Sequence, residues 1–269
     1  MTLTVVPADP AGNRTLLVLD WVEPALRPSL AAWMLERGIG RGEQVGFVAP
    51  PQRGGWGRLE MMGGEFCGNA TRAFGLWLAR QKGIAAGTVP VEISGCDRPL
   101  QVEVDTVSGE ASAQMPLPRR IETVPVPGLG PLPALVLEGI THLPVVGEAA
   151  DEKTVRRIVQ SVQQQIPSDA VGVLFFRPET QEMVPAVYVE KTATTVFESS
   201  CGSGSVALAI WLGEQLGDGE HRFAFRQPGG VIEAAIRREH GKTVFAAIGG
   251  AVSFDPPLLV DCPTFAEGQ

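Results

Sequence analysis

Short runs of apolar and β-branched residues recur along the whole chain, each bounded by turn-forming residues. LTVVPA, TLLVLD, EQVGFVA, GRLEMM, VPVEIS and LQVEVD occupy the first half. ALVLEG, VGVLFF, AVYVEK, TVFES, GGVIEAAI and TVFAAIGG occupy the second. Their length and their flanking glycines and prolines predict strands. Helical periodicity is confined to residues 29–37, 69–82, 152–165 and 204–216. The expected class is therefore α/β (α+β), rich in strands and poor in helices. Two of the helices, ATRAFGLWLAR and SVALAIWLGEQL, are apolar around most of their circumference, which is the pattern of a helix enclosed by protein.

Between the halves stands MPLPRRIETVPVPGLGPLPAL. Its prolines and glycines cannot continue a helix or a central strand, so it reads as an interdomain crossing. The boundary is placed near residue 118, giving an N-terminal domain over 1–118 and a C-terminal domain over 119–254, with 255–269 returning to the first. Each half holds a set of strands, one Cys-Gly step and an apolar helix directly after that step. Such repetition suggests an ancient duplication.

Composition narrows the class of ligand. The 269 residues are 44% hydrophobic and 19% charged, which predicts packed domains rather than disorder. A net charge of −8 and a pI near 5.0 argue against nucleic acid or an anionic membrane as partner and leave a small molecule as the natural ligand. No apolar run approaches the ~20 residues of a membrane span, and the first residues lack the features of a secretion signal. The expected location is cytoplasmic, where Cys67, Cys96, Cys201 and Cys262 stay reduced. With no C-x-x-C pair and only three histidines, no metal site is expected.

The candidate chemistry lies in GGEFCGNATR and SSCGSGSVAL. Each places a cysteine immediately before a glycine that opens an apolar helix. A helix N-terminus carries unpaired N–H groups and partial positive charge, so two such ends facing one cleft would hold a carboxylate on the amides of Gly68, Asn69, Gly202 and Ser203. The same field is expected to lower the pKa of Cys67 and Cys201. Two thiols beside a bound carboxylate suit inversion at the neighbouring carbon. One thiolate takes the α-proton, the other thiol returns a proton to the opposite face, and the amides stabilise the developing enediolate. Cys96 and Cys262 read as small buried hydrophobes. His142, His221 and His240 lie in no distinctive hydrolase motif, and Lys82, Lys153, Lys191 and Lys242 lie in no recognisable pyridoxal phosphate motif, so no cofactor is expected.

These residues carry a resemblance. FCGNATR and SCGSGS, with DPAGNRTLLV near the start, GEQVGFV at 42–48 and the late QPGG from Gln227 to Gly230, resemble the cofactor-independent amino-acid racemases and epimerases of the diaminopimelate epimerase fold. Within them the nearest likeness is to the histidine racemases of staphylopine-type metallophore biosynthesis. The resemblance implies two pseudo-symmetric domains, each with strands wrapped around a central helix, and Cys67 with Cys201 as the acid/base pair. It also implies substrate contacts from Asn13 and Gln44, and an α-amino contact from Glu198, where a carboxylate suits an ammonium. The fold family often forms dimers, so a homodimer is among the assemblies the resemblance implies.

Departures from the epimerase pattern bear on the substrate. The arginine and two asparagines that grip a distal carboxylate in diaminopimelate epimerases stand here as Ser199, Ile140 and Ala170. A second buried carboxylate would lack partners, at heavy cost. The expected function is racemisation of a free amino acid with one carboxylate, L-histidine to D-histidine. The alternatives are a diaminopimelate epimerase, a racemase of another amino acid, and a non-catalytic amino-acid binding protein.

Overall fold

The computed structural model describes residues 1–263. Chain contacts divide it into two compact units, one formed by Met1–Gln114 with the chain from Gly249 onward, the other by Met115–Ile248. The first unit runs β1 (Thr2–Asp9), β2 (Thr15–Val18), α1 (Arg27–Glu36), β3 (Gln44–Ala49), β4 (Gly57–Met61), α2 (Gly68–Gln81), β5 (Ala86–Ile93), β6 (Leu100–Asp105) and β7 (Glu110–Gln114). The second runs β8 (Arg120–Val126), β9 (Gly130–Val136), β10 (Ile140–Val146), α3 (Glu152–Gln163), β11 (Ala170–Arg177), β12 (Glu182–Val189), β13 (Thr194–Phe197), α4 (Gly202–Gly213), β14 (Gly219–Gln227), β15 (Gly230–Glu239) and β16 (Lys242–Gly249). The returning segment holds β17 (Ser253–Phe254) and β18 (Leu258–Asp261). Residues 264–269 of the return expected over 255–269 lie outside the described residues.

In the first unit the strands enclose α2. The helix packs on β4, β5, β6 and β7 and buries Ala70, Ala73, Phe74, Leu76, Leu78 and Ala79 against Leu59, Val89, Val91, Ile93, Val102 and Ala113. Burying a side chain of Leu or Phe size contributes about 1.5–3 kcal/mol, so this cluster fixes where the helix starts. Gly75 lets helix and sheet approach closely, since a Cβ there would lie 2.7 Å from Val102 Cγ1. On the other side of the unit, α1 buries Leu30, Ala31 and Met34 in a second cluster with Val5, Leu16, Val45 and Phe47. The unit closes with strands from far along the chain, as β18 and β17 pair antiparallel with β1 through Thr2↔Asp261 and Ala8↔Phe254.

The second unit repeats the plan around α4, which packs on β15, β10, β14 and β11 and buries Val206, Ala207, Leu208, Ala209 and Ile210. A further helix, α3, is two-sided and lays Val155, Ile158, Val159 and Val162 on Val124, Ala134, Val171 and Val173.

One expectation is narrowed. The proline-rich stretch is not a crossing over its whole length, because residues 120–136 form the hairpin β8–β9 with Pro125 opposite Pro131. Proline is tolerated in edge strands, where the missing N–H faces away from the ladder, and β8 has only β9 as a partner among the described residues. The sequence pattern also passes over β7, β10 and β14. The charged alternation GEHRFAFRQ of β14 leaves the strand exposed at most positions on one face.

Candidate active site

Each Cys-Gly step is the start of the central helix of its own unit. Cys67 is the N-cap of α2 (φ −135°, ψ 112°) and Cys201 the N-cap of α4 (φ −131°, ψ 107°). Both carbonyls begin the intrahelical ladder, accepting from the amides of Thr71 and Ser205 at 3.0 Å. Both also accept from the hydroxyls of those same residues at 2.7 Å. The repeated sequence thus encodes a repeated backbone geometry.

The first unit brings Asn13, Gln44, Cys67, Gly68 and Asn69 together. Asn13 ends a turn of three consecutive left-handed residues, Ala11, Gly12 and Asn13 (φ 63°, 85° and 54°), which the Gly12 amide closes by donating to Asp9 Oδ1 at 2.9 Å. Left-handed backbone is uncommon for alanine and enriched for asparagine, so the turn is a position of local strain at the site. Gln44 enters through register, since it opens β3 opposite Thr15 of the parallel neighbour β2. Its Nε2 donates to the Asn13 carbonyl at 3.1 Å, to Thr15 Oγ1 at 2.7 Å and to Cys67 Sγ at 3.3 Å. Ala70 N and Asn13 Nδ2 approach the same sulfur at 3.5 and 3.9 Å. The Asn69 side chain is buried, and its Oδ1 accepts from Arg72 Nε at 3.2 Å.

Arg72 is fully buried. Its guanidinium donates to the carbonyls of Gly250 (2.9 Å), Ala251 (3.3 Å) and Pro10. It thereby ties the turn bearing Asn13 and the returning segment to the helix that bears Cys67.

The second unit brings Glu198, Cys201, Gly202 and Ser203 together and adds Gln227, Ser205, His142 and Gly172, to which the sequence reading gives no role. Gln227 Oε1 accepts from the Cys201 amide at 2.8 Å, and its Nε2 donates to Ser205 Oγ at 2.9 Å. His142 is fully buried, and its Nε2 shares a 2.8 Å hydrogen bond with Ser203 Oγ, which lies 3.7 Å from Cys201 Sγ. The imidazole fits because its partner across the β10–β11 pair is Gly172, where a Cβ would lie 2.2 Å from His142 Nδ1. In the same register Ile140 faces Ala170. The two positions that carry asparagine in the epimerase pattern are thus neighbours, and both are apolar. The signals for these residues were present in GITH, AVGV and QPGG, but which groups they partner depends on strand register that no local pattern shows.

The expected lowering of both cysteine pKa values is overturned. Burial pushes the Cys67 thiol up from its ordinary value, and the donors Ala70, Gln44 and Asn69 only partly offset this, while Glu65 adds to the rise. Cys201 is driven well above its ordinary value by burial first and by the Glu198 carboxylate second, with Gly204 and Ser203 pulling the other way. Desolvation of a thiolate inside protein exceeds the stabilisation from a helix end. Burial also holds His142 neutral, lowering its pKa from 6.5 to about 4.

Solved structures share this fold. A PhzF-family phenazine biosynthesis protein from Bacillus anthracis matches with a TM-score of 0.68 at 15% identity, over 97% of this chain and 100% of that one. A probable proline racemase from Agrobacterium radiobacter K84 also matches with a TM-score of 0.68, at 12% identity, over 97% of this chain and 93% of that one. Sequence relatives are nearer. A histidine racemase of Fusobacterium nucleatum subsp. nucleatum is 30% identical over 247 residues, 88% of this chain and 90% of that one. A histidine racemase of Staphylococcus aureus strain Mu50 is 28% identical over 253 residues, 91% of this chain and 92% of that one. The family model described as the histidine racemase CntK N-terminal domain matches residues 2–255, and with both Cys-Gly helix starts inside that span, the chain belongs to the histidine racemase family.

Proposed function

We propose that this protein interconverts L- and D-histidine by a two-thiol mechanism without an added cofactor, Cys67 and Cys201 serving as the acid/base pair. The observation that carries the reading is the repeated helix start, a cysteine N-cap with the same backbone angles and the same carbonyl anchors in each unit, in a chain of this family. The α-carboxylate binds the amides of Gly68, Asn69, Gly202 and Ser203, where helix-end charge favours an anion. Asn13 contacts the substrate, Gln44 lines its pocket, and Glu198 receives the α-ammonium. One thiolate removes the α-proton, the other thiol supplies a proton to the opposite face, and the amides stabilise the enediolate between the two steps. Ile140 and Ala170 provide no polar grip for a distal carboxylate, which supports an imidazole side chain over that of diaminopimelate. The enzyme acts in the cytoplasm, as a homodimer, supplying D-histidine for an opine-type metallophore.

The test is α-proton exchange followed by NMR in D2O under reducing conditions, with L-histidine, diaminopimelate and other amino acids as substrates. Loss of the histidine α-proton signal with appearance of the D-isomer, abolished in Cys67→Ser and Cys201→Ser, is the expected result. Exchange on another amino acid alone removes histidine as substrate, and exchange that survives either substitution removes the two-thiol mechanism.

A further inference from the structure

The two sulfurs occupy matched positions on the backbone but face opposite kinds of neighbour. Around Cys67 Sγ the near side-chain groups are donors, Gln44 Nε2 at 3.3 Å and Asn13 Nδ2 at 3.9 Å, with the Ala70 amide at 3.5 Å. The orientation of the Gln44 amide is enforced. Its Nε2 lies 3.1 Å from the Asn13 carbonyl oxygen, which can only accept, so a flip that put Oε1 there would set two acceptors against each other. Thr15 Oγ1 reinforces this, donating to the same carbonyl at 3.3 Å and accepting from Gln44 at 2.7 Å. Gln44 and Thr15 are both buried, so water cannot substitute for these bonds. The two hydrogens of Gln44 Nε2 are shared among the Asn13 carbonyl, Thr15 Oγ1 and the Cys67 sulfur, so the end of the amide nearest that sulfur is its donor and not its acceptor.

Around Cys201 the balance reverses. After burial, the larger cause, the Glu198 carboxylate also favours the protonated form of the Cys201 sulfur. Ser203 Oγ, 3.7 Å away, is itself engaged with the buried neutral His142. The titratable groups acting on the two sulfurs are Glu65 on Cys67, Glu198 on Cys201, and His142 through Ser203.

We propose that the two thiols ionise unequally, Cys67, with Gln44 as its positioning residue, giving its thiolate at lower pH than Cys201, which keeps its proton beside Glu198. The proposal rests on the two-thiol reading and gives it a direction. The histidine enantiomer whose α-hydrogen faces Cys67 reacts directly with the form of the enzyme that ionises first. Its proton passes to Cys67, and the proton of Cys201 passes to carbon. Turnover then leaves Cys67 as thiol and Cys201 as thiolate, and the enzyme must return a proton from Cys67 to Cys201 through solvent, or by a turnover in the reverse direction, before the next cycle.

The test is the pH dependence of iodoacetamide alkylation at each cysteine, followed peptide by peptide by mass spectrometry in the full-length protein. Cys67 is read in Cys201→Ser and Cys201 in Cys67→Ser, with thiolate ultraviolet absorbance as a second measure insensitive to access. The expected midpoint for Cys67 is about one pH unit or more below that for Cys201, the separation one opposed charge produces. Adding Gln44→Met to the Cys201→Ser variant moves the Cys67 midpoint up and slows its alkylation at fixed pH about tenfold, whereas the same change leaves the Cys201 midpoint in place. If Gln44→Met does not fold, Gln44→Glu makes the same test with a larger upward shift. Equal or reversed midpoints, or a Cys67 midpoint indifferent to Gln44, overturn the proposal while loss of racemisation in both cysteine variants keeps the two-thiol reading standing. Racemisation retained in either variant overturns that reading and this proposal with it.

Discussion

The starts of α2 and α4 share cap geometry and differ in what braces them. At α2 the brace is a buried charge, Arg72 reaching the carbonyls of Pro10, Gly250 and Ala251. At α4 it is neutral, Gln227 holding the Cys201 amide and Ser205 in one short chain, with His142 kept uncharged beside Ser203. A duplicated backbone can thus keep two sulfurs in equivalent places while each surrounding acquires its own electrostatics. The charged brace spans segments far apart in sequence, whereas the neutral one uses groups that must stay un-ionised to fit.

The comparison breaks most sharply at the sulfurs themselves. Cys67→Ser and Cys201→Ser should each lower kcat/KM for racemisation about 10²–10⁴-fold, the usual worth of a positioned acid or base. In the unsubstituted enzyme kcat/KM should rise as the pH is taken upward from neutrality, because both thiols are held above their ordinary value and the reaction needs one as thiolate.

Acid should affect the neutral brace next. The folded pKa of His142 lies near 4 against 6.5 when unfolded, so the unfolded chain binds the extra proton first. Its stability contribution is complete above pH 6.5 and is lost as pH falls toward 4, at a cost of about 3 kcal/mol. Urea unfolding at the two pH values should show this fall, and His142→Gln should flatten it.

Gly172→Ala sharpens the same point by packing, since the added methyl would overlap His142 Nδ1. A destabilisation of about 1–3 kcal/mol is expected, with Cys67 alkylation unchanged. The smallest effect belongs to Ser203→Ala, about 0.5–1.5 kcal/mol for one hydrogen bond, read as a shift in the urea midpoint together with a displaced imidazole signal of His142 in NMR.

How much of this the sequence discloses depends on whether a feature is local. A cysteine followed by glycine and an apolar helix is a contiguous signal, and both helix starts were legible from it. Asn13 and Gln44 came with the family likeness, but the bond from Gln44 to the Cys67 sulfur arises from the pairing of Thr15 with Gln44, a matter of register. His142 was visible in GITH without a partner, because Ser203 reaches it only once α4 is laid on β10. Pro125 and Pro131 misled, since their meaning depends on whether a strand lies at an edge. The sign of the thiol shifts was misjudged because helix-end charge can be read from a pattern, whereas the depth at which a sulfur is buried cannot.

The pairing of β1 with β18, together with the grip of Arg72 on Gly250 and Ala251, has a consequence for biosynthesis. The ribosome delivers residue 2 early but the strand that covers it only after the whole second unit has been made. During that interval β1 is an uncovered edge and the guanidinium of Arg72 lacks two of its carbonyls, the kind of surface that recruits chaperones or associates wrongly. The second unit is contiguous and can mature as it emerges, whereas the helix carrying Cys67, though packed on strands made beside it, gains the anchors of Arg72 on Gly250 and Ala251 only after that unit has been made.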